Sequence, residues 1–135
     1  MGLEIRHEWC FGCGKKNPIG MKLEFSDQEG RYSTTFMPRR EHQGYDGIMH
    51  GGLVSTLLDE VMAGYIHQQG LNAVTARLEV RFRQPTPIGQ LLTATAKVVS
   101  QRGNMYEVRG EIALPDGTVT AEGKATVAVV EEART

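Results

Sequence analysis

Apolar and polar side chains alternate along the second half of the chain in a way that predicts β-strands. In residues 74–85 (VTARLEVRFRQP) the apolar positions are Val74, Ala76, Leu78, Val80 and Phe82. This two-residue period is typical of a strand with one buried face, which Pro85 then ends. Three similar segments follow at 90–101, 105–114 and 118–130, separated by turn residues. The pattern predicts a four-stranded antiparallel meander.

The first half of the chain predicts one hairpin and one helix. MKLEFSD (21–27) and RYSTTFM (31–37) indicate two paired strands, and residues 50–68 carry apolar side chains at three- and four-residue spacing over a wide arc. A helix this apolar must be largely covered. Six strands wrapped around it as one curved sheet would cover it, so the expected fold class is α+β with a long central helix.

Composition and charge narrow the class of protein. The 135 residues predict a single domain, with an amino-terminal arm at 1–20 and a core at 21–130. A net charge of -1 with interspersed acidic and basic residues disfavours nucleic acid as a partner. No segment is apolar enough to span a membrane, and MGLEIRHEWC lacks the apolar stretch of a signal peptide, so we expect a cytoplasmic protein.

Two cysteines, Cys10 and Cys13, lie in the motif CFGC. A single CxxC motif supplies two of the four ligands that zinc requires, and both His7 and the distant His42 would have to complete the site. A redox dithiol is disfavoured because the motif does not lie between a strand and a helix. We expect no bound metal, with the zinc site as the alternative.

The start of the helix is rich in glycine. In GIMHGG (47–52) three glycines mark the point where a 13-residue loop without periodicity, residues 37–49, turns into the helix. The first N–H groups of a helix have no internal acceptor and could bind a carbonyl oxygen or an anion. The alternative is that these glycines only permit a tight turn and close packing.

Two adjacent carboxylates, Asp59 and Glu60, lie in the second half of the helix, where the macrodipole disfavours negative charge. Apolar neighbours of Asp59 predict a partly buried carboxylate suited to act as a base or a nucleophile, although the helical wheel does not separate it from Glu60. Nine residues of helix rise about 13 Å. The helix start and Asp59 are therefore unrelated, or two antiparallel helices combine them across a twofold axis.

His50-Gly51-Gly52, with a carboxylate nine residues after the histidine, is followed by the motifs Phe82-x-x-Pro85 and Pro87-x-Gly89. From residue 17 to about residue 130 the chain resembles the hotdog-fold acyl-CoA thioesterases, and the phenylacetate-pathway and 4-hydroxybenzoyl-CoA groups most. The resemblance implies an acyl-CoA substrate, no cofactor beyond the coenzyme A of that substrate, and homodimers with shared active sites that in some members form homotetramers.

The resemblance also implies residue roles. Asp59 would be the catalytic nucleophile or base, the Gly51 N–H would bind the thioester oxygen, His50 would fix the loop, and Thr75 would hold water or orient the carboxylate. Several relatives have an asparagine where this chain has Gly44, and Gln43 is its candidate substitute. We further expect substrate contacts from Gly52, Met49 and Met62, and coenzyme A phosphate contacts from the turn Arg102-Gly103-Asn104.

These observations favour an acyl-CoA thioesterase. A non-catalytic acyl-CoA or small-ligand binding protein is the second hypothesis, because Gly44 replaces the expected asparagine. A dehydratase acting on acyl thioesters is the third and is disfavoured, since dehydratases of this fold pair a histidine and a carboxylate in a different motif. The sequence does not define the acyl group.

Overall fold

The computed structural model describes residues 7–130, which contain six strands, one long helix and a short 3-10 helix at Arg40–His42. The helix is α1 (Gly51–His67). The strands are β1 (Phe25–Gln28), β2 (Arg31–Phe36), β3 (Ala73–Phe82), β4 (Leu92–Arg102), β5 (Met105–Ala113) and β6 (Val119–Val129). The predicted α+β architecture, one antiparallel sheet against one central helix, is confirmed.

The strand order in the sheet is β1-β2-β4-β5-β6-β3, and every pairing is antiparallel. Strands β4 to β6 form the predicted meander. The prediction was wrong for β3, which pairs with β6 rather than with β4. Strand β2 already occupies the edge of β4, through pairs such as Tyr32 with Ala96, so β3 crosses to the opposite edge of the sheet.

The core lies between one face of α1 and the face of the sheet that packs against it. Helix side chains in this core have no exposed surface or almost none: Val54, Leu57, Leu58, Val61, Met62 and Ile66. Met62 lies against two sheet glycines, where an added Cβ would come within 3.0 Å of it at Gly110 and within 2.8 Å at Gly123. The prediction that Met62 contacts substrate is therefore corrected, because the residue fills the room these glycines leave.

Strand β3 departs from strict alternation at its amino-terminal end. A bulge between Thr75 and Arg77 shifts the register against β6, and Thr75 is half-buried while Ala76 is exposed. A bulge re-aims side chains in this way. The predicted single buried face is wrong at Val74 and Phe82 also, which are 43% and 53% exposed on this edge strand.

Among the described residues, none of the helices combines the length and the apolar character needed to cross a membrane.

A buried pair of hydroxyl groups joins the loop after β3 to β6. Thr86 Oγ1 donates to Thr120 Oγ1 at 2.8 Å, and both side chains are almost fully buried. The carbonyl of Thr86 also accepts the N–H of Met49 at 2.8 Å, just before α1 begins. This pair thus connects β6 to the start of the helix.

We expect Thr120→Val to lower the free energy of unfolding by about 1–3 kcal/mol, because it leaves the buried Thr86 hydroxyl without an acceptor. The double variant Thr86→Val/Thr120→Val should lose less than the sum of the two single changes. Urea denaturation measures each value, and Thr93→Val, at an exposed position of β4, is the control. Additive losses in the double variant would contradict the coupling.

Candidate active site

The loop before α1 is held at several points along its length. The N–H of Gly44 donates to the carbonyl of Ile48 at 2.9 Å, and the N–H of His50 donates to the carbonyl of His42 at 2.8 Å. The imidazole Nδ1 of His42 accepts the N–H of Arg39 at 2.9 Å. These hydrogen bonds fix the conformation of the loop and thereby the position of the first turn of the helix.

His50 is the amino-terminal cap of α1. Its Nδ1 accepts the N–H of Gly52 at 2.9 Å, so a neutral His50 carries its proton on Nε2. The N–H of Gly51 makes no hydrogen bond within residues 7–130. Gly51 therefore presents a free backbone donor at the positive end of the helix dipole. The N–H of Gly52 is not free, because it donates to the His50 side chain.

A groove of about 780 Å³ opens at this helix start. Four residues that the sequence predicts for the site line its wall: Gly44, Met49, His50 and Gly51. Its other lining residues are Tyr45, Ile48, Val54, Phe82, Arg83, Gln84, Pro85 and Thr86. Most of these residues could not be predicted, because β3 and the loop that follows it reach the helix start only through the crossover of β3 to the far edge of the sheet.

Gln43 lies in the loop but not in the groove wall. Its side-chain oxygen accepts the N–H of Gly47 at 3.0 Å, and its side-chain nitrogen donates to Asp46 at 3.4 Å. The whole amide is thus engaged in the turn at 43–47. In this conformation neither Gln43 nor Gly44 offers the side-chain amide that the asparagine of the relatives would supply.

Asp59 and Thr75 form the second half of the site. The Thr75 hydroxyl donates to Asp59 Oδ1 at 2.6 Å, and both residues are half-buried. The bulge in β3 turns this hydroxyl toward the helix. Eight residues separate Gly51 from Asp59 on α1, a rise of about 12 Å, and Asp59 is absent from the groove wall. One chain therefore does not bring the Gly51 donor and the carboxylate together.

Glu60 has a different environment, which the helical wheel did not reveal. The arm around Cys10 and Cys13 folds over it, and Cys10 Sγ lies 3.5 Å and 3.7 Å from its two carboxylate oxygens. Burial raises the pKa of Glu60, the thiol of Cys10 lowers it, and the charge of Asp59 raises it again. The structure thus separates the two carboxylates: Asp59 bonds to a sheet hydroxyl, and Glu60 lies under the arm.

The turn Arg102-Gly103-Asn104 joins β4 to β5 and is exposed. Asn104 bonds to Val129 through its side chain and its carbonyl, and Val129 pairs with Ala73 at the start of β3. The turn therefore lies at the Thr75 end of the sheet, away from the Phe82 end that borders Gly51.

Comparison with known proteins identifies the class. The model of the thioesterase superfamily matches residues 46–121, more than half of the chain. This chain belongs to the thioesterase superfamily.

Individual relatives agree with this assignment. Human acyl-coenzyme A thioesterase 13 is 32% identical over 85 residues, which are 62% of this chain and 61% of the human protein. The chain thus spans about three fifths of that relative's length. The PaaI protein of the E. coli phenylacetic acid degradation operon has a TM-score of 0.77 at 24% identity, with 85% of this chain and 84% of PaaI covered.

A third protein, a hypothetical thioesterase protein from Streptococcus pneumoniae, was solved with coenzyme A. Its TM-score is 0.75 at 20% identity, with 83% of this chain and 91% of that chain covered. These likenesses confirm the predicted hotdog fold and the resemblance to the acyl-CoA thioesterases of this fold.

We expect acid to destabilise the loop through His42. Burial lowers the pKa of His42, and the charge of Arg39 lowers it further, against an opposite effect of Glu41. Because the unfolded chain takes up this proton first, the free energy of unfolding should fall as the pH drops below the ordinary histidine value of about 6.5.

The variant His42→Asn keeps an acceptor for the Arg39 N–H and does not titrate. Thermal unfolding midpoints of both proteins, compared above and below that pH, isolate the contribution of His42. A wild-type advantage that grows on acidification would contradict the assignment.

Proposed function

We propose that this chain is an acyl-CoA thioesterase whose active site is shared by the two chains of a homodimer. The observation that carries the proposal is that the two groups needed for hydrolysis lie far apart on one helix. Gly51 presents an unbonded N–H at the groove, and about 12 Å further along Asp59 is held by Thr75. Two antiparallel copies of α1 would place each donor opposite the partner's carboxylate.

The comparisons support the activity. The human relative is named an acyl-coenzyme A thioesterase, and the Streptococcus pneumoniae protein was solved with coenzyme A. That bacterial protein was also solved as two alanine variants, at an aspartate and a threonine 16 positions apart. Asp59 and Thr75 have the same separation here.

The proposed chemistry uses these groups and one water molecule. Asp59 takes a proton from water, and the resulting hydroxide attacks the thioester carbonyl. The N–H of Gly51 donates to the oxygen on which negative charge develops, and a preorganised donor of this kind contributes roughly 3 kcal/mol. Collapse of the tetrahedral intermediate breaks the C–S bond, and Asp59 returns the proton it took from water to the departing sulfur, so that coenzyme A leaves as its thiol. The carboxylic acid product then loses its own proton to solvent.

A direct attack by Asp59 is the other form of the mechanism. The carboxylate would form an anhydride with the acyl group and expel coenzyme A, and water would then hydrolyse the anhydride. In both forms the Thr75 hydroxyl occupies Oδ1 of Asp59, so that Oδ2 is the oxygen that acts on water or on the carbonyl.

The edge strand β3 supports the dimer. In the part of the chain that the structure describes, no strand pairs with the outer edge of β3, where Val74 and Phe82 are exposed. Such an edge can pair with the same strand of another chain. This pairing would extend the two sheets into one and set the two helices antiparallel. Because Arg102-Gly103-Asn104 lies at the Thr75 end, the turn would then border the partner's groove, where Arg102 could bind a coenzyme A phosphate.

Binding without turnover is the second candidate, favoured by Gly44 and by the engaged amide of Gln43. In that case the groove would hold an acyl-CoA without an amide to position the attacking water. Isothermal titration with an unreactive acyl-CoA thioether, together with turnover of the matching thioester, separates the two functions.

Replacing the carboxylate tests the catalytic assignment. Asp59→Asn keeps the hydrogen bond from Thr75 but removes the base, so kcat should fall by about a thousandfold. A panel of aryl, short, medium and long acyl-CoAs with a thiol reagent measures the release of coenzyme A. Glu79→Gln, at an exposed position of β3, is the control, and Glu60→Gln should keep at least a tenth of the wild-type rate. Full activity of Asp59→Asn would exclude the assignment.

Removing the backbone donor tests the shared site. Proline is tolerated at the first position of a helix, and His50 has the extended conformation that precedes proline, with φ −56° and ψ 132°. Gly51→Pro therefore deletes one N–H and preserves the helix, while Gly51→Ala is the control that keeps it. We expect Gly51→Pro to lower kcat by roughly a hundredfold.

Mixed dimers decide where the two groups meet. Differently tagged Asp59→Asn and Gly51→Pro chains are co-expressed, and the heterodimer is purified by both tags. A shared site leaves one complete site and one doubly defective site, so the heterodimer should regain about half of the wild-type rate. Activity no higher than that of the two parent variants would show that both groups serve the same chain.

A further inference from the structure

Outside the proposed active site, three side chains with metal-binding atoms meet beneath the arm. Cys10 Sγ, Cys13 Sγ and a carboxylate oxygen of Glu60 all lie within 4.8 Å of one another, and all three residues are half-buried. They come from two segments 50 positions apart, the CFGC motif and the second half of α1. The sequence expectation of no metal considered only two of these ligands.

The backbone of the arm is built around this cluster. The N–H of Gly14 donates to the carbonyl of Cys10 at 2.8 Å, and the backbone of Phe11 and Gly12 accepts the N–H groups of Met21 and Leu23 at 2.8 Å and 2.9 Å. A Cβ at Gly12 would overlap the carboxyl group of Glu60. Glycine between the two cysteines therefore lets the CxxC turn approach the helix closely enough for the three ligands to meet.

The distances match those of a tetrahedral zinc site. Zinc binds cysteine sulfur at about 2.3 Å and carboxylate oxygen at about 2.1 Å, so a sulfur and an oxygen on one tetrahedral ion lie about 3.6 Å apart. Cys10 Sγ lies 3.5 Å and 3.7 Å from the two oxygens of Glu60. Little movement is needed to place an ion between them.

The charges of the cluster also favour a cation. Each of the three groups is negative when it is deprotonated, and partial burial weakens the screening between them. A divalent ion bound between the three side chains would compensate these charges, and zinc accepts sulfur ligands where magnesium and calcium do not.

We propose that Cys10, Cys13 and Glu60 form a structural zinc site that fastens the amino-terminal arm to helix α1. His7 is the candidate for the fourth ligand. Its ring lies edge-on to that of His67 with 5.6 Å between ring centres. It is not among the three side chains that meet at the cluster, so the ring would have to move to bind the ion. The site would fix the helix directly beside Asp59. This inference rests on the arm and not on the proposed hydrolysis.

Metal binding is measured on the full chain, purified with a non-thiol reductant, stripped with a chelator and returned to buffer. Competition with a chromophoric chelator gives the stoichiometry and affinity for Zn²⁺, and Co²⁺ reports the ligands through sulfur-to-cobalt charge-transfer bands. We expect one Zn²⁺ per chain and a tetrahedral Co²⁺ spectrum. Cys10→Ser and Cys13→Ser should each lose the charge-transfer intensity of one sulfur and bind Zn²⁺ at least a hundredfold more weakly.

Two further variants separate the proposed ligand from nearby charge. Glu60→Gln removes the anionic ligand and should weaken Zn²⁺ binding at least tenfold, whereas Glu8→Gln changes an exposed carboxylate of the same arm and should bind like the wild type. Circular dichroism of the stripped proteins verifies that each variant is folded.

Three results would overturn the zinc site. These are absence of Co²⁺ charge-transfer bands in the folded wild type, unchanged Zn²⁺ affinity in Cys10→Ser/Cys13→Ser, and a wild-type chain isolated from cells two hydrogens lighter with a Cys10–Cys13 disulfide. Each of them leaves the proposed thioesterase activity unaffected, because that activity is tested with Asp59 and Gly51.

Discussion

The packing of α1 against the sheet is the constraint on which the other features depend. The helix buries a wide apolar arc whose members, from Val54 to Ile66, have almost no exposed surface. Gly110 and Gly123 open the space for Met62, so rotation or translation of the helix would lose this fit. A helix held in one register by its core holds its two ends equally firmly. The packing of this core therefore fixes the positions of the Gly51 N–H and of the Asp59 carboxylate.

Thr75 shows how a local irregularity in the sheet serves the site. In a regular strand, the alternation set by Leu78 and Val80 would direct position 76 toward the helix and Thr75 away from it. The bulge between Thr75 and Arg77 reverses this, and the Thr75 hydroxyl reaches Asp59 at 2.6 Å. A hydrogen bond to a charged carboxylate in a half-buried setting is stronger than one between neutral groups. The bulge thus converts an edge strand into a support for the carboxylate.

Periodicity was sufficient to predict the elements but not their neighbours. The six strands and the helix were expected within a few residues of their observed bounds, since an apolar period of two or of 3.6 is a property of the local sequence. The pairing of β3 with β6 depends on which edge of the sheet is still free after β2 has paired with β4. A local sequence pattern does not contain this information. For the same reason the groove wall at Arg83 to Thr86 could not be predicted from the sequence.

Asp59 and Glu60 are adjacent residues of the same chemical type whose surroundings give them different chemical roles. Successive residues on a helix are separated by about 100°, so Asp59 faces β3 while Glu60 faces the arm. Asp59 receives one hydroxyl group and keeps an oxygen for reaction, whereas Glu60 is covered by two thiols and a glycine turn. The adjacent carboxylates and the CxxC motif are both visible in the sequence. Only the fold shows that the CxxC motif lies against Glu60 and not against Asp59. What distinguishes a reacting group from an anchoring group here is therefore the element packed against it, and not the residue type or its place on the helix.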